Sequence, residues 1–385
     1  MQNRSNFAIL SPENKERLLP YPPRKNRRPQ INRKELFIMY KLPLWDTASR
    51  TVTGESGLFR GTKPVRLLYS AEKILKLYNP TLGTVYTQDV HFTHTPGSDL
   101  IYPVPGSGIC GIEEAEIFPD PAAAAPYPAL NANAVIGGPE GKLLLFDNGT
   151  FFARHQFNVD YQATADTVFL ELPAPVYGTL ERFTAGLKAG TTMTVNLIGD
   201  SISEGFNSSE FVKCPPWAPP YLYIFAQALK RRFHTHVHAR NSAISGTCSE
   251  QAFKIEERWL EPPCDLLIIA YGMNDIVGKT PEEYGAQIKK IMERKRSVHP
   301  ETEFLLVSSM TRNPIWLTPC DEKAQLFADE LKKLAGPGCA VADVHAFWCQ
   351  LLKKKDFYDL TGNGVNHPND YGHRVYNAVL ENIFS

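Results

Sequence analysis

The sequence has no Cys-x-x-Cys pair and no ligand-spaced group of histidines and cysteines, although its 385 residues include seven cysteines and ten histidines. A motif-built zinc site is thereby excluded, and an odd number of cysteines does not make a complete disulfide framework. Neither sign of charge is in excess, since 41 Lys and Arg balance 41 Asp and Glu. Bulk electrostatics therefore offers nothing to nucleic acid or to an anionic membrane. No apolar run is long enough to cross a bilayer, and the opening "MQNRSNFAILSPENKERLL" lacks the apolar stretch of a signal peptide. These absences predict a cytoplasmic protein with no metal, no cofactor, no membrane and no nucleic-acid partner. A secreted protein relieved of its leader would read the same way, and the oligomeric state is not legible.

What is present is an ordinary globular composition, 43% hydrophobic and 21% charged, in a chain longer than one core usually supports. Three stretches of different texture follow one another. Residues 1–34 read as an N-terminal arm. It has a short helix at Ser11–Leu19, capped by Ser11 with Pro12 and Glu13 in the first turn, and then the basic, proline-rich "PYPPRKNRRPQINRK". Residues 35–190 read as an all-β sandwich, jelly-roll-like. Runs such as "TVYTQDVHFTH", "KLLLFDN", "FFARHQFNVDY" and "DTVFLELP" are separated by Gly, Pro and Asp turns. Within that stretch "SAEKILKLY" suggests a helical turn, and the prolines of Pro119–Leu130 make a loop.

Residues 191–385 alternate strands with helices. "TVNLIGD", "VHARN", "DLLIIAY", "EFLLVSS" and "CAVADV" are the strands. Helices are expected at "YLYIFAQALKRRF", Ser249–Leu260, Thr280–Ser297, Asp321–Leu334 and from Asp370 onward. Thr280-Pro281-Glu282-Glu283 is a capping box with proline in the first turn. Such alternation predicts a three-layer α/β/α domain on a parallel sheet, with its ligand at the carboxyl ends of the strands. No Gly-x-Gly-x-x-Gly or P-loop sequence accompanies these strands, so nucleotide binding has no support.

Four features fall at those strand ends. Gly199-Asp200-Ser201 closes the first strand, and Gly246 lies in "NSAISGTCSE" after the second. Gly272-Met273-Asn274-Asp275 closes the third, and His367 stands in "GVNHPNDYGH" before the last helix. Singly, each has a plain structural reading as a helix cap, a turn or a solvated side chain. Together their chemistry is coherent. A serine is a poor nucleophile until a base takes its proton, and histidine is the natural base near neutrality. Attack on an ester carbonyl needs hydrogen-bond donors already aimed at the developing oxyanion. Ser203 stands where a second glycine would complete a Gly-x-Ser-x-Gly elbow, so this is not that motif. Asp200 and Asp275 are expected to pin loops through side-chain-to-backbone bonds.

In order and spacing the four blocks resemble the SGNH (GDSL-type) hydrolase family. "IGDSISEG", "YGMNDI" and "NHPNDYGH" carry the likeness over about half the chain, from Thr192 to Ser385. The resemblance implies Ser201 as nucleophile and His367 as base. It implies an oxyanion hole from the backbone N–H of Ser201, the backbone N–H of Gly246 and the amide of Asn274. The family usually places an aspartate three residues before the histidine, and here that position is Gly364. Asp343 and Asp359 are the nearby carboxylates, and a backbone carbonyl is the expected substitute for the missing acceptor. His373 falls within the last helix, where a packing role is expected.

The sequence thus points to a two-domain serine esterase that hydrolyses an O-acyl ester through an acyl-serine. The expected ester is O-acetyl on a carbohydrate, since family members carrying a β-sandwich often resemble carbohydrate esterases. The expected partner is accordingly a small-molecule or oligosaccharide ester. Two alternatives stay open: a lipid or thioester acylhydrolase, and a carbohydrate-binding protein with an inactive hydrolase domain.

Overall fold

The computed structural model describes residues 43–127, 132–173, 177–316 and 321–384. The arm expected at residues 1–34, with its helix at Ser11–Leu19, lies outside the described residues. Five strands form a parallel sheet in the order Val237–Asn241, Met193–Gly199, Leu266–Ala270, Glu303–Val307 and Cys339–Ala342. All five are runs picked out in the sequence; four are apolar, and the edge strand Val237–Asn241 alternates half-buried with exposed residues. The central strands are buried along their whole length, because helices cover both faces.

Alternation along each strand assigns those faces. Val195, Leu197, Leu266, Ile268, Leu305 and Val307 share one core with helices Tyr221–Phe233 and Asp370–Asn382. Ile198, Leu267, Ile269, Phe304 and Leu306 share the other with helices Pro281–Val298 and Asp321–Lys333. Residues one apart on a strand point to opposite sides, so two helical layers sandwich one sheet. This is the α/β architecture that the strand–helix alternation implies.

Ahead of it lies an antiparallel region. Its seven-stranded sheet runs Trp45–Asp46, Thr51–Gly57, Phe157–Ala163, Val65–Asn79, Ser98–Pro103 and Phe92–His94, with Thr84–Tyr86 also paired to Val65–Asn79. A separate pair joins Ala134–Ile136 to Leu143–Leu145. The segment expected to make a helical turn, "SAEKILKLY", is instead part of the long strand Val65–Asn79. Its buried residues Ala71, Ile74 and Leu77 recur every three positions. The pairing with Phe157–Ala163 shifts register between Ala71 and Lys73 and again between Ile74 and Lys76. Each irregularity slips the alternation by a residue, which gives a strand a helix-like period. "FFARHQFNVDY" divides into a short helix, Phe151–His155, and a strand. "DTVFLELP" pairs with no strand; Leu170 N–H donates to the Tyr69 hydroxyl at 3.0 Å instead.

The antiparallel sheet and the α/β layers share a continuous core, in which Leu67, Tyr161 and Trp45 belong with Phe347, Trp348 and Tyr376. No helix among the described residues is long and apolar enough to cross a membrane.

Candidate active site

Ser201 begins the short helix Ser201–Glu204, directly after the second strand of the sheet order. Asp200 makes that turn possible. Its carboxylate accepts from Ile202 N–H at 3.0 Å, capping the helix from within the core. Burial pushes the Asp200 carboxyl up to about 7, and the nearby Asp275 adds to the shift. Ser201 Oγ lies 2.8 Å from His367 Nε2, and both side chains are nearly enclosed, at 5% and 4% exposure. Residues 166 apart in sequence are therefore in hydrogen-bond contact.

Gly246 and Asn274 sit at the ends of the two strands flanking that of Ser201. Gly246 adopts φ +75°, a left-handed backbone that favours glycine, and no atom would crowd a Cβ there. Conformation rather than space thus accounts for this glycine. The Asn274 amide donates to Thr247 O at 2.9 Å, which joins it to the Gly246 loop. Asp275 ties the same loop one turn further on, accepting from Ser249 N–H at 3.0 Å and from the Ser249 hydroxyl at 2.5 Å. Asp200 and Asp275 are thus loop pins, as their positions suggested.

Among the described residues no carboxylate bonds to the histidine. Asp343 caps the helix Val344–Leu352, accepts from the Ser308 hydroxyl and pairs with Lys332 at 2.8 Å. Asp359 accepts from Leu58 N–H at 2.9 Å and pairs with Lys355 at 3.3 Å. Neither reaches His367. The expected backbone carbonyl is also not what meets Nδ1. Three asparagine side chains surround that atom: Asn148 Oδ1 at 3.0 Å, Asn207 Oδ1 at 3.0 Å and Asn363 Nδ2 at 2.9 Å. Burial, with a lesser contribution from His373, pushes the His367 imidazole down to about 3.

Gly364 explains the vacancy three residues upstream. Its φ is +77°, and a Cβ would lie 2.7 Å from the Phe152 ring and 3.1 Å from Leu145 O. Helix Phe151–His155 of the antiparallel region thus occupies the place an aspartate would need. His373 is a packing residue, stacked on Tyr221 with centroids 6.1 Å apart and joined to Phe206 O at 3.2 Å. Phe206 also lies against the His367 ring, at 5.1 Å, and against Phe211.

Asn148, Asn207 and Asn363 escaped the sequence reading. They stand in "FDNGT", "GFNSS" and "TGNGVNH", where asparagine beside glycine or serine signals a turn. Only for Asn363, four residues before the histidine, does proximity in sequence offer a signal. Among the described residues no group of acidic, histidine and cysteine side chains could hold a metal ion.

No curated protein matches the chain. Among solved structures, a two-domain esterase active on acetylated mannans is 22% identical, with 53% of this chain and 52% of that chain covered at a TM-score of 0.41. An acetylxylan esterase from Geobacillus stearothermophilus is 17% identical, with coverage of 50% and 94% and a TM-score of 0.39. An α/β hydrolase from the metagenome of Lake Arreo, Spain, is 18% identical, with coverage of 50% and 96% and a TM-score of 0.40. Residues 197–375 match the GDSL-like lipase/acylhydrolase family, a span that runs from the strand before Ser201 to the helix after His367.

Proposed function

We propose that the protein is a serine esterase in which Ser201 attacks an ester carbonyl and His367 takes its proton, through an acyl-Ser201 intermediate. The observation that carries this reading is the 2.8 Å contact of Ser201 Oγ with His367 Nε2 at the carboxyl edge of the parallel sheet. A proton can pass directly across that distance. The backbone N–H groups of Ser201 and Gly246 and the free proton of the Asn274 amide are the oxyanion donors in this reading. Breakdown reverses the polarity: the imidazolium first protonates the leaving alcohol, and His367 then activates water against the acyl-enzyme.

The ester in this reading is a short O-acyl group, O-acetyl on a carbohydrate. A nucleophile exposed by only 5% suits a small acyl group, and the carbohydrate rests on the pairing of an antiparallel region with a hydrolase domain of this family. Hydrolysis of p-nitrophenyl esters of rising chain length, together with acetate release from acetylated oligosaccharides, tests it. Activity confined to acetate, and present on the oligosaccharides, is expected. Activity that rises with chain length points instead to a lipid or thioester acylhydrolase, and none at all to a binding protein. Ser201→Ala should abolish turnover and leave the fold intact, a loss of many powers of ten. Ordinary ester hydrolysis in that variant excludes Ser201 as the nucleophile.

A further inference from the structure

We propose that Asn148 and Asn207 are positioning residues that hold the proton of His367 on Nδ1 and leave Nε2 as the acceptor facing Ser201. A pair of neutral amide oxygens thereby stands where the family places a carboxylate. The inference rests on the esterase reading, because only a base at Nε2 can take the Ser201 proton.

Hydrogen bonds to the backbone fix how two of the amides face. Asn363 Oδ1 accepts from the N–H groups of Val365, Asn366 and His367 at 3.0, 2.9 and 3.0 Å, so its NH₂ turns toward the ring. Asn207 donates from its NH₂ to Gly362 O at 2.9 Å and Asp147 O at 3.3 Å, so its oxygen turns toward the ring. Asn207 holds this place from a left-handed backbone, φ +60°, which asparagine tolerates better than most residues.

Counting donors and acceptors then separates the two neutral tautomers. With the proton on Nδ1, the ring donates to Asn207 Oδ1, shared with Asn148 Oδ1. The two Asn363 amide protons go to Asn366 Oδ1 at 2.9 Å and Asn148 Oδ1 at 3.3 Å. Two acceptors then meet Nδ1–H against the one donor, the Asn363 NH₂ at 2.9 Å, whose protons have these other acceptors, and Nε2 is free to accept from Ser201. With the proton on Nε2, Nδ1 must accept from Asn363, which then abandons one of its two acceptors. Asn207 Oδ1, for which the described residues offer no other donor, faces a lone pair at 3.0 Å. A buried acceptor left without a donor is costly. The cage therefore selects the tautomer that general-base catalysis needs.

Asn148 lies outside the matched residues 197–375 and comes from the antiparallel region. That region thus supplies one side of the histidine's cage. The titratable groups on the surrounding elements are His373 and Asp370 on the last helix, Asp200 beside Ser201, Asp147 next to Asn148, and Asp359 on the segment before the histidine. None of them bonds to Nδ1.

The full chain labelled with ¹⁵N-histidine gives a readout independent of turnover, since the long-range proton–nitrogen couplings of the imidazole report which nitrogen is protonated. In the wild type, His367 is expected as the Nδ1–H tautomer, and in Asn148→Ala/Asn207→Ala the Nε2–H form should appear. With p-nitrophenyl acetate, each alanine variant should lower kcat about tenfold or more with KM within about twofold, because the ring is misplaced while the ester site persists. Asn148→Asp keeps the acceptor and removes an NH₂ that makes no hydrogen bond among the described residues. Its carboxylate favours imidazolium and should move the acid limb of the kcat/KM profile upward by about one pH unit. A wild-type Nε2–H tautomer overturns the proposal. So does a double variant that keeps both tautomer and kcat, or an acid limb that Asn148→Asp leaves in place. A wild type that hydrolyses no ester refutes the esterase reading instead, and the tautomer measurement still decides this one.

Discussion

At the scale of single residues, the contact between Ser201 and His367, the proposed nucleophile and base, was legible because the chemistry asked of them admits few substitutes, whereas the groups around them were not. Serine at a strand end and histidine before the last helix each have one strong functional meaning once they occur in order. An asparagine has many meanings. Asn274 was legible through its block, but Asn148 sits in a turn of another region, and no spacing connects residues 219 apart. In the proposed reading Asn274 has two duties, as it braces Thr247 O and gives its second amide proton to the oxyanion. Asn274→Ala is therefore expected to lower kcat by roughly 10²–10³ with little change in KM, since the tetrahedral oxyanion needs the donor more than the carbonyl does. Steady-state kinetics on p-nitrophenyl acetate separates the two parameters. A rise in KM alone makes Asn274 a ground-state binding residue.

At the scale of elements, four of the five parallel strands were readable because burial on both faces leaves continuous apolar runs. The antiparallel strands were harder, since irregular register gave Val65–Asn79 a period that imitates a helix. Helix ends were readable where side chains make them. Thr280 Oγ1 accepts from Glu283 N–H at 3.2 Å, and the Glu283 carboxylate accepts in return from Thr280 N–H at 2.8 Å. Proline follows at the first turn of the same helix, Pro281–Val298. This helix packs Tyr284, Ile288, Ile291 and Met292 against the sheet face opposite the last helix. Thr280→Ala should cost about 1 kcal/mol in urea denaturation, as an N-cap loss does. Turnover should stay near wild type, because the cap touches no group of the site. An unchanged midpoint means that packing alone holds this helix end.

At the scale of the whole molecule, the segment that carries His367 is built against the antiparallel sheet. Gln156 donates to Tyr358 O and to Thr361 O, each at 2.7 Å, and Arg374 donates to Thr53 O at 2.8 Å. Beneath them Lys355 is fully buried, 2.9 Å from Glu55 and 3.3 Å from Asp359, and it donates to Arg66 O at 2.7 Å. One cation thus neutralises a carboxylate from each region. Burial still raises the Asp359 carboxyl to about 6, against the pull of Lys355. Lys355→Met removes the cation and leaves two carboxylates facing each other out of water. The expected loss is about 3–5 kcal/mol near pH 8 in chemical denaturation, the scale of breaking a buried pair. The sign of its pH dependence follows from Asp359. Without Lys355 its folded pKa rises further above the unfolded value, so the folded state holds a proton that the unfolded state releases. Stability is then lost as pH rises through that folded pKa, and the deficit of the variant should shrink toward pH 5. A deficit under about 1 kcal/mol at pH 8, or one that is the same at both pH values, shows that Lys355 is not what joins the two regions beneath the histidine.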